Sequence, residues 1–160
     1  KKAGAWDNTI LVFTGDHGEE FFEENTFGHN SNLNEYQTRV PFLMHIPGKG
    51  NIDVGKQTSH MDVMQTILGE IFKAAVEDIQ FQGRNMLSKE NGAVYVAKAH
   101  YQKPTAYAIH VMGQKAVVNI DGGFMEIESI AGKNGETVNM NRGLHSGIAG
   151  LVHQIKELRN

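Results

Sequence analysis

An unbroken apolar run, Ile10-Leu11-Val12-Phe13, ends at Thr14-Gly15-Asp16-His17-Gly18. A short apolar run bounded by turn residues reads as a buried strand of a parallel sheet. Ligands of open α/β sheets gather in the crevice at the carboxyl ends of such strands, and Asp16 and His17 fall there. A carboxylate and an imidazole side by side, with His29 following, are how a zinc or transition-metal site begins. Two ligands do not close such a site. The plain alternative is an aspartate that caps the turn after the strand, with a histidine packed beside it.

The same pattern organises the rest of the chain. Residues 9–14 and 40–46 read as strands, with Pro41 placed where a strand start or edge accepts it. Residues 15–34 are polar and rich in Gly and Asn, too long for an idle connection, and long loops tend to be functional. Pro47-Gly48-Lys49-Gly50 is a turn cluster. Ser59 and Asp62 have loose capping-box spacing, and Met64, Ile67, Leu68, Ile71 and Phe72 then repeat at helical period, which predicts a helix with one apolar face.

After Asn91-Gly92 the texture changes. Residues 94–99, 105–112, 116–120 and 124–130 are β-prone, with Gly113-Gln114 and Asp121-Gly122 as hairpin turns. A helix is expected after Ser146, with Ile148, Leu151, Val152, Ile155 and Leu158 on one face. The expected division is an α/β unit over 1–92 and a small antiparallel sheet with a terminal helix over 93–160.

Composition removes several function classes. The net charge of −3 on 160 residues comes with scattered Lys and Arg, so no basic stripe invites nucleic acid. No apolar stretch approaches the roughly 20 residues that span a bilayer. The absence of cysteine excludes disulfides, thiolate ligands and a cysteine nucleophile within these residues. Lys1 is not an initiator Met, so the chain is expected to be cut from something longer.

Other candidates read as structural. Glu19, Glu20, Glu23 and Glu24 are expected to form a solvated acidic loop, outside the site. His45, His60, His100, His110, His145 and His153 have no partner at ligand spacing. Ser146 sits one position too late for G-x-S-x-G and is better explained as a helix cap. Ser31 beside His29 is a weak hydrolase pair, because chain neighbours rarely face each other for proton transfer.

The residues Thr9 to Glu19 resemble the S/G-D-H-G-E segment of the alkaline phosphatase superfamily, most closely its sulfatase and lipid phosphotransferase branch. Arg39-Val40-Pro41-Phe42-Leu43, Ile46-Pro47-Gly48 and Ser59-His60-Met61-Asp62-Val63-Met64-Gln65-Thr66-Ile67-Leu68 keep that branch's order and spacing, with Gln65 replacing its usual Pro. The resemblance covers about residues 5–90 and implies a partial α/β sandwich with a mostly parallel sheet. It implies that Asp16 and His17 hold a divalent metal (Zn, Mn, Mg or Ca) and that His29 contacts the transferring group. Asp62 is expected to stabilise the helix after it. True sulfatases typically place Lys at the position of His29, whereas lipid phosphotransferases and sulfatase-like inner-membrane proteins place His.

The resemblance further implies a hydrolase or transferase acting on sulfate or phosphate esters of lipid or saccharide headgroups. Its parent would be anchored in the inner membrane with this domain in the periplasm. The nucleophile and the first acidic metal ligands are expected upstream of Lys1, so the chain alone should be inactive and should self-associate or lean on the missing half of its domain. The alternative is a non-catalytic sulfatase-like membrane protein that senses or regulates envelope lipopolysaccharide.

Overall fold

The computed structural model describes residues 4–50, 56–72, 83–89, 94–100, 103–111, 113–121, 124–139 and 142–157. The apolar run forms β1 (Leu11–Thr14), preceded by a 3-10 turn over Trp6–Asn8. Its neighbour is β4 (Phe42–His45), and the pairing is antiparallel, with Leu11 opposite His45 and Phe13 opposite Leu43. The parallel, fully buried strand expected from the apolar run is corrected here. The intervening segment reverses the chain direction, and every strand pairing among the described residues is antiparallel. Phe13 and Leu43 remain 62% and 65% exposed, so a face whose composition suits burial stays open on this pair.

The polar segment is not an unstructured loop. It folds into a short hairpin, β2 (Glu20–Phe21) with β3 (Phe27–Gly28), and then one turn of helix, α1 (Glu35–Thr38). Asn34 caps that turn by accepting the Gln37 backbone N–H at 3.0 Å. Pro47-Gly48 makes the expected turn, with Gly48 at φ 75° and Lys49 N–H donating to Ile46 C=O.

Helix α2 (Met61–Phe72) forms where periodicity places it, but the predicted apolar face is not the buried one. Met64, Ile71 and Phe72 are exposed, while Asp62 and Thr66 are buried. The reason is the segment after α2, which packs on its polar side through hydrogen bonds. Arg84 N–H donates to Asp62 Oδ1 and Met86 N–H to Thr66 Oγ1, both at 2.8 Å. Asp62 Oδ2 accepts the Ser59 N–H at 2.9 Å, so this residue does stabilise the helix start.

The C-terminal part is a four-stranded antiparallel meander of β5 (Val94–His100), β6 (Lys103–Val111), β7 (Gln114–Asp121) and β8 (Phe124–Ala131), followed by α3 (Arg142–Glu157). Gly113 turns β6 into β7 at φ 75°, as the hairpin reading anticipated. Tyr107, Ile109, Ala116, Val118 and Ile130 make the sheet side of the core, and Ile148 of α3 closes it with Leu151 and Val152. The α3 start is corrected to Arg142: the helix begins before Ser146, which lies exposed within it rather than at its cap. The opposite sheet face buries Leu33 against Ala106 and Ala108. Ile155 and Leu158 have side chains outside the described residues, as does the division expected near residue 92. Among the described residues, no helix is long and apolar enough to cross a membrane.

Candidate metal and catalytic site

Asp16 and His17 occupy the bend that ends β1. Asp16 Oδ1 accepts the His17 backbone N–H at 3.0 Å. Hydrogen bonds from its own N–H and that of His17, then the His17 imidazole, hold the Asp16 carboxyl below its ordinary value, so it is an anion at neutral pH. His17 Nδ1 lies 2.9 Å from the Gly18 carbonyl oxygen. A carbonyl only accepts, so Nδ1 carries a proton and Nε2 is the ring nitrogen that faces away from the backbone contact. That nitrogen lies 3.7 Å from Asp16 Oδ2.

Gly18 explains the glycine of the motif. A Cβ there would stand 2.0 Å from the Tyr36 carbonyl oxygen and 3.2 Å from that of Arg39. The Gly18 N–H donates to the Gln37 carbonyl at 2.9 Å, which ties the end of β1 to α1. Only a residue without a side chain lets the two backbones approach this closely.

His29 follows β3 and lies over His17, with ring centroids 4.0 Å apart and planes inclined by 32°. Of the three site residues expected from sequence, His17 thus lies against both Asp16 and His29. The acidic loop is exposed at Glu19, Glu23 and Glu24 and needs one correction, at Glu20. Glu19 approaches His29 Nδ1 with both carboxylate oxygens, at 3.2 and 3.3 Å, which fixes the proton on Nδ1 and again leaves Nε2 open. His17, Glu19 and His29 can bring one ligand atom each within 4.8 Å of one another. The Glu of D-H-G-E was the signal for Glu19, and its partner was invisible because it stands ten residues away.

Glu20 is not solvated at all; it is fully buried. Its carboxylate accepts from the Asn34 amide at 2.6 Å, the Gln37 amide at 2.8 Å and the Glu24 N–H at 2.9 Å. The Thr26 side chain, then the Gln37 and Asn34 amides and the Glu24 N–H, hold the carboxyl down to about 2 against the desolvation that pushes it up. Glu20 therefore acts as an internal anion that gathers the hairpin and α1. Gln37, also buried, donates to Ser31 Oγ at 2.6 Å and accepts the Ser31 and Asn32 N–H groups. Ser31 is thus part of this network.

The remaining histidines divide as follows. His60 Nε2 donates to the Gly15 carbonyl at 2.8 Å, pinning the entry of α2 beside the β1 end. Sequence spacing gave no sign of this contact, which spans 45 residues. His45 stacks on Trp6 at 3.8 Å, and His110 is buried beside Gln57, where desolvation pushes its pKa down. His145 and His153 are exposed on α3, and the side chain of His100 lies outside the described residues.

Comparison with known proteins finds similarity to sulfatases and to the alkaline phosphatase superfamily. A family model described as Sulfatase matches residues 1–70. The multifunctional alkaline phosphatase superfamily protein PehA of Trinickia caryophylli is 35% identical over 71 residues, 42% of this chain and 13% of that protein. An endo-4-O-sulfatase of Bacteroides thetaiotaomicron is 31% identical over 86 residues, 53% of this chain and 17% of that protein. The chain thus spans less than a fifth of either relative. A solved 4S-sulf chain from the glycosaminoglycan metabolism of Bacteroides thetaiotaomicron superposes with a TM-score of 0.58 over 81% of this chain and 31% of that one, at 21% identity, which supports the fold. Over residues 1–70 the chain thus matches the Sulfatase family model, and it is similar in part to an alkaline phosphatase superfamily protein and to a sulfatase.

Proposed function

We propose that this chain supplies the β1-end half of a metal-dependent site that hydrolyses or transfers sulfate or phosphate esters. The observation that carries the reading is the fixed His17 tautomer: the Gly18 carbonyl holds Nδ1–H and leaves Nε2 as a ligand, next to the ionised Asp16. A carboxylate and an imidazole suit a borderline divalent ion such as zinc or manganese. When bound, such an ion stabilises charge on the ester oxygens and favours the deprotonated nucleophile.

His29 is the residue assigned to the transferring group. Glu19 orients its ring through Nδ1, so Nε2 is the atom available to exchange a proton with an ester oxygen. No Cys exists in the chain and no Ser stands in an S-x-P-x-R context, so these residues hold no sulfatase-type nucleophile, and on this reading the nucleophile comes from another part of the parent. On this reading the chain alone does not turn over ester. The histidine at position 29 favours the phosphotransferase-like branch, with a membrane-anchored periplasmic parent acting on a lipid or saccharide headgroup.

Calorimetric titration of the protein with zinc or manganese tests the assignment. Asp16→Ala and His17→Ala each lower affinity by about tenfold or more. Metal binding that both substitutions leave unchanged refutes it, as does turnover of an aryl ester by the isolated chain that persists in Asp16→Ala.

A further inference from the structure

The C-terminal sheet reaches the His29 loop through the Lys115 side chain. Lys115 stands on β7 opposite His110, and its ammonium donates to the Leu33 carbonyl and, at 3.1 Å, to Glu35 Oε1. Its side chain is only 16% exposed, whereas that of Glu35 is 56% exposed. The exposed ion pair contributes little, so the carbonyl contact is the one that matters. Leu33 itself is buried against Ala106 and Ala108 of β6. The residue just before the α1 cap is therefore held by an apolar contact and by a cation.

From Leu33 the restraint passes toward the site by contiguous bonds. Asn34 caps α1, and Gln37 of that turn accepts the Ser31 and Asn32 N–H groups and donates to Glu20. Asn30, between His29 and Ser31, adopts a left-handed φ of 61°, a conformation the surroundings must maintain. Glu19, the neighbour of Glu20, holds the His29 ring. The backbone on both sides of His29 is thus referred to α1, and α1 is referred to the sheet by Lys115 and Leu33.

We propose that Lys115 is a positioning residue for His29, through which the C-terminal sheet sets the geometry of the ester site. The role given to His29 rests on the proposed function; the mechanical coupling does not, so the two are tested by separate readouts. Lys115→Met keeps the aliphatic stem and removes the ammonium, and Lys115→Arg keeps a cation able to reach a carbonyl.

Amide hydrogen exchange of the chain in Lys115→Met should show Ser31 and Asn32 exchanging about tenfold faster, with the β6 and β7 amides changed by less than about twofold. Lys115→Arg should recover most of that protection. In the full-length parent, the kcat for an aryl phosphate or sulfate ester should fall about tenfold with KM nearly constant, and Arg should again restore it. Uniform loss of protection across loop and sheet, or failure of Arg to restore it, overturns the proposal in favour of a general structural role. Altered exchange in a parent that turns over no ester leaves the coupling standing and overturns the role of His29.

Discussion

Replacing Gly18 by Ala tests whether the D-H-G-E glycine is there for backbone approach. The added Cβ would meet the Tyr36 carbonyl oxygen at 2.0 Å, and reaching the 3.4 Å where ordinary contact begins requires a displacement of 1.4 Å. Both partners are main chain, so no side-chain rotation relieves the overlap. Moving α1 by that amount breaks the 2.9 Å Gly18–Gln37 hydrogen bond and draws the Gln37 amide away from Glu20 and Ser31. Overpacking costs about 1–3 kcal/mol and the lost backbone bond about 0.5–1.5 kcal/mol, so about 2–4 kcal/mol is expected in total.

That energy corresponds to roughly thirtyfold to thousandfold faster opening of the loop, read by hydrogen exchange at Ser31, Gln37 and Thr38. Because the Gly18 carbonyl also fixes the His17 tautomer, the affinity for zinc should fall with it. Gly50→Ala is the control. Among the described residues nothing lies within 4 Å of a Cβ at that position, so stability should hold or rise by about 0.4–1 kcal/mol through a less flexible unfolded chain. Equal denaturation midpoints and equal loop exchange for Gly18→Ala and wild type would refute the reasoning, whatever happened to activity.

Acid should loosen the same loop. The folded Glu20 carboxyl lies at about 2 against an ordinary 4.5, so its ionised form contributes stability that is complete above pH 4.5 and is lost as the pH falls toward 2. Protection at Glu24 and Ser31 should decline across that window, and Glu20→Gln should remove the dependence; protection that stays flat in the wild type defeats the assignment. Self-association should depend on the open β1–β4 face. Phe13 and Leu43 are direct cross-strand partners and both are exposed, so Phe13→Lys should shift the isolated chain toward monomer in sedimentation, and an unchanged distribution places the contact elsewhere.

What could be read in the sequence was whatever depends on near neighbours. The four β-prone runs with a glycine turn gave the meander because antiparallel hairpins pair segments a few residues apart. The strand ending at Asp16-His17 was legible because an apolar run and a turn are local signals. Its pairing was not: the antiparallel partner is set by the path of residues 15–41, and that path depends on a buried carboxylate. Periodicity fails for a related reason at α2, where the buried stripe is Asp62 and Thr66. A hydrophobic count cannot anticipate a helix face satisfied by hydrogen bonds from Arg84 and Met86.

Glu20 is the sharpest instance. Beside Glu19, Glu23 and Glu24 it looks like one of four solvent-facing acids, yet it organises the segment that carries His29. Its donors are neutral groups at positions 24, 26, 32, 34 and 37, so no opposite charge in the sequence marks it. The consequence extends to the site. A loop built on an internal anion with neutral donors needs no cation to balance that carboxylate, and on the proposed reading this leaves Asp16, His17 and His29 to serve a metal and an ester.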